Sequence, residues 1–349
     1  MPRIVSIATA VPPYRYSQTE LKRHYATLHR EHPETLAALS IFDHAGVEYR
    51  HLSFPVEYYL AGPSYEQRND DFVKRALSLS EQAIGSCLRQ ANVAPEQVSQ
   101  IISVTTTGLA TPSLEAMLVE LIPFSREVQR TPLFGVGCAG GAVGLARTSH
   151  LLRSSPKDFA ILLSVELCAQ TFIAADHSKL GVVAASLFGD GAAAALLAGD
   201  SSHLDGPLCV GAQSVLFPNT HDIMGWRFTS DGMQLVLSPR LPALVKRVMP
   251  PVIRDFLSIH HRSLTDIRFW IFHPGSRKVL DAYEESLELQ PHHLYWSRHF
   301  LGEYGNLSSA SVLFILHDVM RRGQPQRGDY GLVVGVGPGF SAELILLQW

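Results

Sequence analysis

Leu133-Phe134-Gly135-Val136-Gly137-Cys138-Ala139-Gly140-Gly141-Ala142-Val143-Gly144-Leu145-Ala146 decides the fold. It opens as a short apolar strand and runs on into a helix, with Cys138 at the junction. A helix start carries unpaired N–H groups and the positive end of the helix dipole. A cysteine placed there is expected to have its thiolate favoured. Each Gly inside a helix costs about 1 kcal/mol relative to Ala. Four glycines between 137 and 144 therefore suit a buried helix, one that other backbones or a ligand approach closely. The plainer reading is a structural cysteine beside a tight turn. Gly135, Gly137 and Gly140 also fit G-x-G-x-x-G, with Glu166 after a later strand as a candidate ribose-binding acid. That pattern keeps a dinucleotide-binding oxidoreductase among the readings, although the fingerprint usually opens its domain and rarely carries a Cys.

Working outward, 349 residues allow two domains or one duplicated one. A content of 46% hydrophobic and 17% charged residues suits a globular chain with a large core. The net charge of -3 gives no electrostatic case for nucleic acid. No apolar run reaches transmembrane length, and the N-terminus lacks signal-peptide architecture. Four scattered cysteines without C-x-x-C argue for reduced thiols, hence a cytoplasmic location, and against a zinc site. The pairs His260-His261 and His292-His293 read as solvated surface, and no metal is assigned.

Residues 4–11 read as a strand ended by Pro12-Pro13. Ser17 with Glu20 forms a capping box for a helix to about His29. A short helix is expected over 34–42, then a polar and aromatic loop that includes Tyr49-Arg50-His51. Ser64 with Gln67 caps a long helix to about Gln90, with Phe72, Ala76, Leu79, Ala83 and Ile84 at helical spacing. Ile101–Thr105 is a strand, and Pro112 is expected at the first position of the helix that follows. Phe159–Val165 is a doubly buried strand ending at Glu166. Asp190-Gly191 between apolar runs reads as a hairpin turn.

The second half varies the first. Arg268–Phe272 runs into His273 and a helix, as the strand near Thr106 does. Gly302 to Ser311 leads into a helix, as at Cys138. Residues 332–347 repeat the strand-turn-strand of 185–198. The spacing from 106 to 138 is 32 residues, and from 273 to 306 it is 33. The expected organisation is an α/β duplication, with halves at 1–205 and 206–349 and their strand-to-helix junctions meeting centrally.

Cys138, His273 and Asn306 then converge. Cys with His makes a nucleophilic thiol, and an Asn amide suits a developing oxyanion or enolate. Singly, His273 reads equally as a packed histidine at a strand end, and Asn306 as an N-cap. The motifs Gly137-Cys138-Ala139-Gly140-Gly141, Leu187-Phe188-Gly189-Asp190-Gly191, His273-Pro274-Gly275, Gly302-Glu303-Tyr304-Gly305-Asn306-Leu307-Ser308-Ser309-Ala310 and Gly335-Val336-Gly337-Pro338-Gly339 carry a family likeness. Together they resemble the type III polyketide synthases, the chalcone and stilbene synthase family. The likeness spans nearly the whole chain in order and spacing.

The resemblance implies the thiolase fold, a layered αβαβα arrangement of two duplicated halves, and a homodimer. It implies that Cys138 carries an acyl group taken from acyl-CoA. His273 would pair with Cys138, and His273 with Asn306 would stabilise the enolate of decarboxylated malonyl-CoA. No metal or redox cofactor is implied, because loss of carbon dioxide generates the carbanion. Phe188 matches the gatekeeper between CoA tunnel and cavity. Thr106, Glu166 and Ser308 match a water network, while Thr171, Gly225, Leu235 and Ser308 match cavity walls.

The sequence also departs from the family. Leu235 replaces a second gatekeeper Phe, and Val336 replaces a Phe of the C-terminal glycine motif. Cys168 replaces a common Thr, as a pocket residue or, the favoured reading, a small packed thiol. A lysine at the CoA mouth is matched by His293, which leaves phosphate contacts to Arg50 or other basic residues. Glu57-Tyr58-Tyr59-Leu60 with Tyr65-Glu66-Gln67-Arg68-Asn69 is similar to the bacterial branch that makes alkylpyrones and alkylresorcinols from fatty acyl starters. A single-round ketoacyl synthase III-like condensation and a non-catalytic acyl-binding protein are the remaining alternatives.

Overall fold

The apolar runs that read as strands bury both of their faces, and each face meets a different layer. The computed structural model describes residues 1–349. In chain order its strands are β1 (Arg3–Ala10), β2 (Tyr14–Ser17), β3 (Tyr49–Leu52), β4 (Val98–Val104), β5 (Gln129–Leu133), β6 (Phe159–Leu167) and β7 (Asp190–Ala198). They continue as β8 (Leu208–Leu216), β9 (Met224–Thr229), β10 (Gly232–Leu237), β11 (Ile267–Phe272), β12 (Tyr330–Gly337) and β13 (Ser341–Gln348). Nine of them join in the order β11-β12-β13-β8-β1-β7-β6-β4-β5, while β2 pairs with β3 and β9 with β10.

Side chains alternate across a strand, so neighbours go to opposite faces. Ile102, Val104, Leu162 and Leu197 point inward with Ile271, Val333 and Ile345 onto Leu145, Ala146, Val312 and Leu313. The last four belong to helices Gly140–Ser154 and Ser311–Arg322, which are sandwiched between the two wings of the sheet. Ile101, Ile161, Leu163 and Leu196 face outward onto Phe72, Leu79 and Ile84 of helix Tyr65–Ala91. Trp270, Phe272, Leu332 and Leu344 do the same against helices Leu241–Ile259 and Arg277–Leu287. The result is a five-layered αβαβα stack, as expected.

The order β4-β6-β7-β1 on one wing recurs as β11-β12-β13-β8 on the other. In both, the first pair is parallel and the next two are antiparallel. On this repeat we propose 1–205 and 206–349 as the two halves.

Several local expectations change. The 34–42 segment is two short helices, Pro33–Ala37 and Ser40–His44. Tyr49–Leu52 is a strand rather than a loop, because β2 pairs with it in register from Tyr14↔Leu52 to Ser17↔Tyr49. Pro112 stands ahead of its helix, which is Leu114–Leu121 with Ser113 as N-cap. Asn69 holds both backbone groups of Leu109 just upstream. Asp190-Gly191 is no hairpin turn: helix Lys179–Leu187 precedes it, and Asp190 begins β7. The Asp190 carboxylate instead accepts the backbone N–H groups of Ser53 and Ala169 at 2.8 and 2.7 Å.

Candidate active site

After β5 the chain turns through Gly135 and Gly137, both at positive φ, into a 3-10 turn over Gly137–Ala139 that runs into the central helix. A Cβ on Gly137 would stand 2.6 Å from Pro338, and one on Gly141 only 2.2 Å from the Ser309 carbonyl oxygen. The glycine run therefore lets the Cys138 turn press against two turns of the other half. The same contacts fill the space where a dinucleotide phosphate would sit.

His273 follows β11, and its backbone N–H bonds the Val334 carbonyl of β12 at 2.8 Å. Asn306 sits between helix Tyr295–Tyr304 and the 3-10 turn Ser308–Ala310. Its N–H bonds the Leu187 carbonyl at 2.8 Å and its C=O accepts from Gly189 at 3.2 Å, a bridge that locks it beside Phe188. Its Oδ1 accepts the Ser308 N–H at 2.7 Å. Its Nδ2 gives one hydrogen to the Gly275 carbonyl at 3.3 Å and keeps the other free. Cys138, His273 and Asn306 line one pocket of about 650 Å³ of open volume, with Phe188, Gly225, Leu235 and Ser308 around them.

The thiol bonds the Ser308 hydroxyl, Sγ to Oγ 3.7 Å. Burial pushes the Cys138 thiol up to about 12, although the polar side chains of Ser308 and Asn306 beside it act the other way. Burial lowers His273 to about 3, and neither of its ring nitrogens has a hydrogen-bond partner. Desolvation thus disfavours both a thiolate at Cys138 and an imidazolium at His273. What stands in the pocket is a neutral thiol, a neutral imidazole free to take a proton, and an amide hydrogen aimed at neither.

Glu166 is fully buried on β6. It accepts from the Thr106 N–H at 3.0 Å, the Thr107 hydroxyl at 2.8 Å and the Ser309 hydroxyl at 2.5 Å. It is fully buried, so no ribose reaches it, and that burial raises its pKa. Among Thr106, Glu166 and Ser308 the one direct bond is from the Thr106 N–H to Glu166. Ser308 turns to Cys138, and its neighbour Ser309, unnoticed in the sequence, turns to Glu166. The Thr106 hydroxyl remains buried without a partner.

A second, largely apolar cavity lies behind Phe188, walled by helices Gln18–Leu28, Val56–Leu60 and Lys179–Leu187. Cys168 and Thr171 line this cavity rather than the thiol pocket. Phe188 lines both, and Trp226 packs on it with ring centroids 5.7 Å apart. A smaller space shares Thr171, Phe172 and Ala184 with this cavity, and Trp226 and Leu235 with the thiol pocket. Trp226 carries no motif, and only its place beside Gly225 could have drawn attention to it.

Arg50 is corrected outright. It is buried, and its guanidinium donates to the Phe188 carbonyl at 2.9 Å and to Gln18 at 3.0 Å, so it braces Phe188 from within and meets no solvent-borne phosphate. His293 is half-buried. It accepts the Gln290 N–H at 3.0 Å and packs on Trp270 of the outer core, away from the thiol pocket.

Comparison with known proteins agrees along the whole chain. The family model described as "Chalcone and stilbene synthases, C-terminal domain" matches residues 208–349. That described as "FAE1/Type III polyketide synthase-like protein" matches residues 54–206. A putative chalcone synthase of Bacillus subtilis (strain 168) is 37% identical, over 99% of this chain and 98% of its own. A 1,3,6,8-tetrahydroxynaphthalene synthase of Streptomyces peucetius is 38% identical, over 99% and 93%. The crystal structure of the 1,3,6,8-tetrahydroxynaphthalene synthase of Streptomyces coelicolor A3(2) superposes with a TM-score of 0.95 at 29% identity, covering 99% of each chain.

Proposed function

The chain belongs to the chalcone and stilbene synthase family of type III polyketide synthases, an acyltransferase class, and from that premise we propose an iterative condensation run by Cys138, His273 and Asn306. Cys138 attacks the carbonyl of an acyl-CoA. His273 takes the thiol proton and returns it to the departing CoA thiolate, leaving an acyl thioester on Sγ. Malonyl-CoA then enters the same pocket. The free Asn306 amide hydrogen and the His273 ring N–H bind its thioester carbonyl oxygen. Loss of carbon dioxide leaves an enolate whose oxygen they stabilise. The enolate carbon attacks the acyl carbonyl and Sγ leaves as a thiolate, so the chain is two carbons longer on CoA and the thiolate is free to take it back. Phe188 separates this chemistry from the cavity behind it.

The starter is a fatty acyl chain, released as an alkylpyrone or alkylresorcinol. The observation that carries this reading is the cavity behind Phe188, where 13 of 16 lining residues are hydrophobic. Each methylene buried there gains about 0.8 kcal/mol. Glu166, Thr106 and Ser308 set the floor beneath the thiol.

A second reading is favoured by the relatives named for tetrahydroxynaphthalene, one of them 38% identical: malonyl units alone, folded to an aromatic product. Product mass spectrometry separates the readings. Purified protein with malonyl-CoA and a panel of acyl-CoAs should give Cys138-dependent triketides or tetraketides retaining the fatty chain. An aromatic product from malonyl-CoA alone, unaffected by added fatty acyl-CoA, overturns the fatty starter. A single added two-carbon unit with no ring would mean a ketoacyl synthase III-like reaction.

We further propose a homodimer joined along β5, in the cytoplasm. β5 is a sheet edge exposed over Gln129–Pro132, and Leu121 and Phe134 stand exposed beside it. No helix is long and apolar enough to cross a membrane.

A further inference from the structure

We infer that Arg68 is a positioning residue that sets which acyl chain lengths the enzyme accepts, by bolting the β9–β10 hairpin to the turn over residues 168–172. The inference rests on the fatty-acyl reading above. Arg68 lies in the first turn of helix Tyr65–Ala91 and is 4% exposed. Its Nη1 donates to the carbonyls of Gln170 at 3.0 Å and Phe172 at 2.5 Å, and its Nη2 donates to the carbonyl of Asp231. It forms no ion pair. Burying a guanidinium whose hydrogen-bond acceptors are all carbonyls, with the Tyr65 ring 5.8 Å away, is unfavourable on its own, and burial lowers its pKa. The arrangement persists because one rigid fork reaches three separate backbone groups, which the point charge of a lysine cannot match.

The two segments it joins both line the smaller space that shares residues with the thiol pocket and with the apolar cavity. The 168–172 turn supplies Thr171 and Phe172. The hairpin supplies Trp226, Met233 and Leu235, with Leu235 paired to Trp226 across its strands. Asp231 is in its turn. The fit there is close, since a Cβ on Gly232, at φ +126°, would stand 2.8 Å from Nη2. Arg68 touches no lining atom of the thiol pocket, so its influence passes through the spacing of these walls. Loosening it would cost a chain that threads the space and spare one too short to enter it.

The test compares wild type with Arg68→Lys, Arg68→Met and Gly232→Ala, the last displacing the same contact from the hairpin side. Acetyl-CoA and dodecanoyl-CoA compete for Cys138, and acylation is read by intact-protein mass spectrometry beside thermal unfolding. The dodecanoyl-to-acetyl ratio is expected to fall at least tenfold in Arg68→Met and Gly232→Ala, with Arg68→Lys between them and wild type. A ratio within twofold of wild type in the variants that fold, with both rates falling together, assigns Arg68 to stability alone and overturns the inference. A rising ratio also overturns it. Should Arg68→Met fail to fold, the other two variants decide. If wild type itself takes an acetyl but no dodecanoyl group, the fatty-acyl reading fails and takes the inference with it. If it takes neither, the thiol assignment has failed.

Discussion

Substituting Ala184 by Phe tests where the acyl chain runs. Ala184 lies on helix Lys179–Leu187, half-buried, and lines both the apolar cavity and the smaller space beside Trp226. A chain held on Cys138 and passing Phe188 into the cavity should gain about 0.8 kcal/mol for each methylene it buries, close to fourfold in specificity. From hexanoyl-CoA to decanoyl-CoA that is about 3 kcal/mol, on the order of 10²-fold, as an upper bound. A phenyl ring at 184 enters open space rather than packed atoms, so little of the roughly 1–3 kcal/mol penalty of overfilling a core is expected, and Tm should hold. The ring occupies the room of about six chain carbons. The assay is kcat/KM for malonyl-dependent extension across even-numbered acyl-CoAs from C4 to C14. Wild type should rise steeply with length and then level off. Ala184→Phe should level off several carbons earlier while matching wild type at C4. An unchanged slope in a variant of unchanged Tm would show that the chain runs elsewhere, and the assignment of the cavity would be wrong.

Cys138→Ala should abolish both turnover and the acyl adduct seen by intact-protein mass, and an adduct surviving on another residue would refute the thiol's role. Asn306→Ala should lower condensation by about 10²–10³-fold, as loss of one preorganised donor does elsewhere, while Cys138 still loads. Loading lost in proportion would count against an enolate-binding role. Ser309→Ala removes a donor from a fully buried carboxylate, so the stability measured in urea should fall by roughly 1–3 kcal/mol, with no change expected if Glu166 were solvated. In Cys138→Ala, carbon dioxide release from malonyl-CoA isolates His273. Burial holds its pKa near 3, below the ordinary 6.5, so the imidazole stays neutral at every pH above that value. Decarboxylation should therefore be flat from pH 8 to pH 6, and a halving near pH 6.5 would show an ordinary histidine.

What could be read from the chain and what could not divides by how local the signal is. The strand-glycine-helix junction at Cys138 and its echo at Asn306 are written in consecutive residues, so the duplicated fold and the three converging side chains follow from spacing. Ser308 and Ser309 sit in one such motif, yet a 3-10 turn sends one hydroxyl to Cys138 and the other to Glu166, and no pattern in the sequence sets that phase. β3 is invisible because its strand character comes from β2, more than thirty residues away. Arg50 reads as a free cation only because its carbonyl partner, Phe188, is remote in sequence. Arg68 is different, for its burial was legible. Phe72, Ala76, Leu79 and Ala83 form the buried stripe of their helix, and stepping back four residues from Phe72 lands on Arg68. A cation on the apolar face of a helix must either snorkel to water or find acceptors inside. At the first turn, with no carboxylate four residues away, the second choice could be posed from the sequence alone. Only the folded chain shows that its acceptors are carbonyls of the 168–172 turn and of the β9–β10 hairpin.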